Sequence, residues 1–191
     1  KTPLFAIQGY IETLQDGMID DNPEMAVSFL NKAARNLNRL SYLIHDLDEI
    51  AKLESGQVIV SKEKFDIQTL VRETIDYLED KALENNIALK FQPKNNNPIL
   101  VKADRKKIQQ VLVNLIDNSI KYGNKGGETQ ISTIPLIDQI LIEITDNGQG
   151  IEEKNLPRVF ERFFRTDKSR SRDIGGSGLG LAISKKLLGL M

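Results

Sequence analysis

Two stretches of the chain repeat apolar residues every three or four positions. The first, KTPLFAIQGYIETLQDG, carries Leu4, Ile7, Ile11, Leu14 and Met18, a spacing that predicts a helix to about Ile19 packed in a coiled-coil-like bundle. Pro3 is tolerated only near the start of such a helix or at a kink. The sequence DDNP stops it, with Asn22 placed to cap the next helix and Pro23 suited to that helix's first position. The second stretch places Leu30, Ala33, Leu37, Leu40, Ile44, Leu47 and Ala51 on one stripe, widened by Leu43, Ile50 and Leu53. That face exceeds what one partner helix covers, so a second copy of the hairpin is expected to complete a four-helix bundle as a homodimer through residues 1–54. The alternative is that the stripe packs on the rest of the chain.

After Glu54–Gln57, where a glycine ends the helix, the pattern changes. A short strand is expected at Val58–Val60, then a helix opened by Asp66 with Ile67, Leu70, Val71, Ile75 and Leu78 inward. Strands follow at Ile87–Phe91 and Ile99–Val101, then a helix capped by Asp104 and running to about Tyr122. Gln130–Leu136 and Gln139–Thr145 alternate as a strand hairpin, and a glycine-punctuated stretch leads to a last helix near Leu179. This order of strands and helices predicts an α/β sandwich over residues 57–191, so the fold class is a helical hairpin followed by an α/β domain.

Composition narrows the setting. With 26 basic and 27 acidic residues among 191, the net charge is −1, which supplies no bulk attraction to nucleic acid or anionic lipid. The absence of Cys excludes disulfides and thiolate metal sites. No apolar run approaches the roughly 20 residues that span a bilayer, so no membrane contact is expected of this segment.

Three clusters carry candidate chemistry. In QQVLVNLIDNSIKYG, Asn114, Asn118 and Lys121 fall at i, i+4 and i+7, setting two carboxamides and an ammonium on one helical stripe. An amide oxygen is a hard ligand suited to Mg²⁺ and a lysine suits phosphate; a solvated face is the alternative. In ITDNGQGI, the alternating Ile140, Ile142 and Ile144 lead to Asp146, either part of a simple turn or a buried acceptor for an adenine amino group that would reject guanine. From FERFFR to GGSGLGLAIS, Lys168, Arg170 and Arg172 precede Gly175, Gly176, Gly178 and Gly180. That run reads as a mobile lid before a helix N-terminus that would face an anion, or as a plain surface loop. No lysine follows the glycines, so this is not a GxxxxGK[ST] loop.

Taken in order, NLIDNSIKY, DNGQGI, FERFFR and GGSGLGL after a two-helix hairpin resemble the N, G1, F and G2 boxes of sensor histidine kinases. Residues 1–56 resemble the dimerisation and phosphotransfer hairpin, and residues 57–191 the catalytic ATP-binding domain of the GHKL (Bergerat-fold) superfamily. The resemblance implies ATP and Mg²⁺ as cofactors, with Asn118 holding the metal, Asn114 and Lys121 reaching the phosphates and Tyr122 covering the adenine. It implies that Asp146 reads the adenine amino group, that Gly148 and Gly150 shape the pocket, and that Arg165 approaches the γ-phosphate. Gly176, Gly178 and Gly180 would let the lid close, with Ile151, Phe163, Ser177 and Leu179 in the same nucleotide site. KTPL matches the end of the family's H-E-x-K-T-P-L motif, which would put the acceptor histidine three residues before Lys1. Thr2 would orient water for dephosphorylating a response regulator; the alternative is that it only caps the kinked start of the helix.

The sole histidine, His45, follows the seam position Ile44 and is expected to be a partly exposed structural residue. Family members continue past Met191 into closing strands, so trimmed or unordered ends are expected. The implied function is the cytoplasmic kinase core of a membrane-bound sensor, phosphorylating histidine and relaying phosphate to the receiver domain of a response regulator. Two alternatives share the nucleotide fold. One is a GHKL-type ATPase that hydrolyses ATP to drive conformational change, against which the KTP hairpin argues. The other is a degenerate binding scaffold, against which the intact boxes argue.

Overall fold

The computed structural model describes residues 2–18, 22–95, 97–166 and 176–191, the side chains of Thr2 and Pro3 excepted. Lys1, Ile19, Lys168, Arg170, Arg172 and Gly175 therefore lie outside the described residues. The chain divides into two compact units, residues 1–52 and 53–191.

In the first unit, α1 spans Thr2–Thr13 and loosens into a wider turn over Leu14–Met18, where Gly17 takes φ 100°. That is backbone a β-carbon would oppose. Helix α2 spans Pro23–Glu54. Asn22 Oδ1 accepts the Met25 N–H at 3.1 Å, so the expected cap with proline at the first helical position is present. The rings of Tyr10 and Phe29 stand 5.4 Å apart and bring α1 against α2. Leu30, Leu37 and Ile44, spaced by seven along α2, remain exposed, as do Leu4 and Ile11 on α1. One hairpin thus leaves its apolar seam uncovered.

The second unit contains two ladders. Strand β1 (Glu63–Asp66) pairs antiparallel with β3 (Leu100–Ala103). In the other, β2 (Ala88–Phe91) runs parallel to β4 (Glu128–Pro135), which pairs antiparallel with β5 (Ile140–Asp146). Helices α3 (Ile67–Glu84) and α4 (Arg105–Tyr122) cover one sheet face. Their 3.6-residue periodicity turns Ile67, Leu70, Val71 and Leu78 of α3 and Leu112, Ile116 and Ile120 of α4 onto Ile131 of β4. Each such fully buried aliphatic side chain contributes about 1.5–3 kcal/mol. A short 3-10 turn at Glu153–Arg158 follows β5, and α5 (Gly180–Leu188) lies against α4 with Leu179, Ile183 and Leu187 buried.

The strand expected at Val58–Val60 does not form. The ladder begins instead at Glu63, opposite Ala103. The reason lies in the partner: the Ser61 N–H is already bonded to the side chain of Asp104, and the chain turns into α4 at Arg105. Among the described residues no extended segment is left to pair with residues 58–60, and Ile59 stays exposed.

Each strand of this ladder leads into an aspartate that caps a helix, Asp66 at the end of β1 and Asp104 just after β3, and each also holds backbone just ahead of the other strand. Asp66 accepts the Gln68 N–H at 3.2 Å, the Thr69 hydroxyl at 2.8 Å and the Ile99 N–H at 2.9 Å. Asp104 accepts the Lys107 N–H at 3.2 Å and the Ser61 N–H at 3.0 Å. At both sites burial pushes the carboxyl pKa up, but the donors outweigh it and hold the group below its ordinary value. A depressed pKa adds stability that is present above the unfolded value and is lost as the pH falls through the folded value. Asp104→Ala should therefore cost about 1–2 kcal/mol of unfolding free energy at pH 7, and the gap to wild type should narrow below about pH 4. Denaturant unfolding across the pH range checks both.

Candidate functional site

Helix α4 carries the first part of the site. Its apolar residues face the sheet, which turns Asn114, Asn118 and Lys121 to other sides, all half-buried. Asn114 Nδ2 donates at 3.4 Å to the Gly180 carbonyl and, also at 3.4 Å, to Ser184 Oγ of α5. A β-carbon on Gly180 would sit 3.7 Å from the Asn114 carboxamide. The start of α5 is thereby tied to the middle of α4. Lys121 Nζ is 2.5 Å from Asp117 Oδ2, and the other oxygen of Asp117 pairs with Lys81 of α3. Among the described residues, the Asn118 side chain makes no protein hydrogen bond.

The loop after β5 is pinned to the end of α4. Asp146 Oδ1 accepts the Gly148 N–H at 2.9 Å. Asn147 Oδ1 accepts the Glu128 N–H at 3.0 Å, while the Asn147 carbonyl accepts from Asn124 Nδ2 at 2.7 Å. A β-carbon on Gly148 would stand 2.6 Å from the Tyr122 carbonyl and 2.7 Å from Asp146 Oδ1, closer than real contacts allow. Asp146 itself is exposed, in contrast to the buried acceptor expected from sequence. It is the last residue of β5, at the end of the β4–β5 ladder.

The glycine-rich stretch returns to the same place. Phe163 donates its N–H to the Gly178 carbonyl at 2.9 Å. Gly178 has φ 73°, and a β-carbon there would meet the Phe163 backbone at 3.0 Å. Phe163, at φ 60°, also occupies the left-handed region, which costs a non-glycine residue on the order of 1–3 kcal/mol. The Leu179 N–H bonds Ser177 Oγ at 3.1 Å, and Leu179 is fully buried. A β-carbon on Gly176 would lie 3.4 Å from Tyr122 Oη. Arg165, half-buried, follows directly on this segment.

The four sequence stretches therefore meet around α4: Asn114 with Gly180, Tyr122 with Gly148 and Gly176, and Phe163 with Gly178. Gly150 has φ 69° in the loop beyond Gly148, and Ile151 is exposed beside it. Thr2 lies in α1 and His45 on the exposed surface of α2, both in the first unit. Reasoning from sequence passed over Asp117, Lys81, Ser184, Asn124 and Asn147. Asn147 stands inside the DNG motif, where a side chain oxygen able to bond the backbone is a readable signal.

Residues 1–56 match the family His Kinase A (phospho-acceptor) domain, and residues 103–191 match the family Histidine kinase-, DNA gyrase B-, and HSP90-like ATPase. Sensor protein kinase WalK of Staphylococcus aureus is 35% identical over 190 residues, covering 98% of this chain and 45% of that protein. The chain spans less than half the length of the curated relatives it matches. Among solved structures, the Acinetobacter baumannii histidine kinase AdeS is similar at a TM-score of 0.75 and 26% identity, covering 100% of this chain and 85% of that one. Histidine kinase ThkA in complex with the response regulator protein TrrA is similar at a TM-score of 0.77 and 26% identity, covering 97% of this chain and 50% of that one. The chain belongs to the sensor histidine kinases of two-component systems: a helical hairpin of the phosphoacceptor class followed by an α/β ATPase-type domain.

The Gly148 contact yields a direct prediction. Gly148→Ala should lose about 1–3 kcal/mol of stability, because the Tyr122 carbonyl and the Asp146 carboxylate must both move. Gly176→Ala, which among the described residues meets only the end of a tyrosine side chain, should stay within about 0.5 kcal/mol of wild type. Thermal unfolding of the two variants side by side checks the difference.

Proposed function

We propose that this chain is the kinase core of a sensor histidine kinase, with residues 1–56 as the dimerisation and phosphotransfer hairpin and residues 57–191 as the catalytic domain. The observation that carries the reading is the convergence of four motifs on α4, with the exposed Asp146 and the half-buried Lys121 both at its C-terminal end. Asp146 accepts the adenine amino group, and Gly148 N–H fixes the orientation of its carboxylate. Tyr122 covers the ring, with Gly150, Ile151 and Phe163 at its border. Lys121 and Arg165 offset phosphate charge, Asn114 sets the start of α5, and Gly176, Ser177, Gly178, Leu179 and Gly180 bring backbone amides toward the phosphate chain.

The residues present also fit Mg²⁺. The Asn118 carboxamide is half-buried and has no protein partner among the described residues, and its oxygen is a hard donor that suits an ion keeping most of its waters. The metal would supply charge neutralisation on the phosphates. The chain's own part in the transfer is to position the γ-phosphoryl group and stabilise its charge, which needs no protein nucleophile on the nucleotide side. The nucleophile is an imidazole nitrogen of the acceptor histidine that the KTPL resemblance puts three residues before Lys1, not of His45, and the phosphate passes on to an aspartate of a response regulator. Thr2, in the first helical turn, orients water for hydrolysis of the response regulator's aspartyl phosphate, which releases inorganic phosphate.

Pairing of two hairpins follows from the uncovered seam of Leu30, Leu37 and Ile44. No helix among the described residues is long and apolar enough to cross a membrane, as suits a core on the cytoplasmic side of a membrane-bound sensor.

Calorimetry tests the nucleotide assignment. Mg²⁺-dependent ATP binding with poor GTP binding is expected, and Asp146→Asn should weaken ATP by about 1–3 kcal/mol. Equal affinity of wild type and variant would overturn the adenine assignment.

A further inference from the structure

Asp117 precedes Asn118 on α4, and its carboxylate serves two lysines. Lys121, one turn further along the same helix, sits 2.5 Å from Oδ2, and Lys81, reaching across from α3, pairs with Oδ1. The side chains of Asp117 and Lys121 are only 17% and 23% exposed, against 43% for Lys81. The lysine assigned to phosphate is therefore already held by a carboxylate, and that carboxylate has a second cation on its other oxygen.

We infer that Lys81 is a positioning residue for nucleotide binding: it is the counter-charge that lets Asp117 release Lys121 to the phosphates. The inference rests on the nucleotide reading of the Asn118–Lys121 stripe. Lysine is a compact charge on a flexible stem, so Lys121 can exchange one oxygen partner for another. A phosphate chain of several negative charges outcompetes a single carboxylate for it. Against the exchange stands the cost of leaving Asp117, mostly shielded from water, without a cation. The Lys81 ion pair removes that cost, because the carboxylate keeps one partner throughout. Lys81 needs no contact with the nucleotide for this role.

The alternative is that Lys81–Asp117 merely ties α3 to α4. A tie of that kind would change stability and leave phosphate recognition alone. The two roles separate when ATP is compared with adenosine, which presents no phosphate to Lys121.

The experiment measures Kd for Mg-ATP and for adenosine by calorimetry, with thermal unfolding alongside, on wild type, Lys81→Met, Lys81→Arg, Asp117→Asn, Lys81→Met/Asp117→Asn and Asn118→Ala. Lys81→Met should weaken ATP about three- to tenfold, between the scale of an exposed ion pair and that of a buried one, while adenosine binding is unchanged. Lys81→Arg should restore wild-type affinity. With Asp117 made neutral, adding Lys81→Met should have no further effect, since no carboxylate remains to be compensated. An unchanged ATP affinity in Lys81→Met, or equal weakening of ATP and adenosine, would overturn the inference while a loss of ATP binding in Asn118→Ala left the nucleotide reading standing. If wild type and Asn118→Ala both fail to bind ATP, the nucleotide reading falls and this inference falls with it.

Discussion

The backbone of Gly148 comes so near the carbonyl of Tyr122 that no β-carbon fits between them. The rest of the site depends on that approach. It brings the end of β5 against the last turn of α4, so that Asp146 and Tyr122, separated in sequence by a whole strand hairpin, become neighbours. Asn147 and Asn124 hold the loop in this place by bonds to backbone groups. The aspartate is thus fixed before any ligand arrives, and a group fixed in advance loses less conformational freedom on binding.

Helix α4 is the common support. One side carries Leu112, Ile116 and Ile120 into the core, and this burial makes the helix rigid enough to hold a site. The remaining sides are polar: Asn114 ties α5, Asn118 has a carboxamide with no protein partner among the described residues, and Lys121 sits in a shared ion pair. The start of α4 is secured by Asp104, which also holds the approach to β1. A single helix therefore transmits core stability to the site, and changes at its cap, its apolar side or its polar side all bear on the geometry at Tyr122.

What could be read from sequence was mostly local. The caps Asn22, Asp66 and Asp104 were legible because a helix start is decided by residues one to three positions away. The strand at Val58–Val60 was misplaced because its place depends on where the partner β3 stops, which only the turn at Asp104 decides. The four motifs were legible as an ordered set, and the structure brings them together. Their cross-links were not legible: Lys81 meets Asp117 from another helix, and Ser184 meets Asn114 from the far end of the chain. The exposure of Asp146 escaped as well, since an apolar alternation along β5 does not fix the burial of the polar residue that ends it.

Delivery of the γ-phosphoryl group of ATP from this site to a histidine, as proposed above, leaves a chemical signature that a labelling experiment reads. The full-length protein is incubated with Mg-ATP labelled at the γ-phosphate, and the label on protein is followed through acid and base. The account predicts label bound to the protein, lost in acid and stable in base, as a phosphorus–nitrogen bond requires. Release of labelled inorganic phosphate with none on the protein, or an acid-stable label, would contradict it.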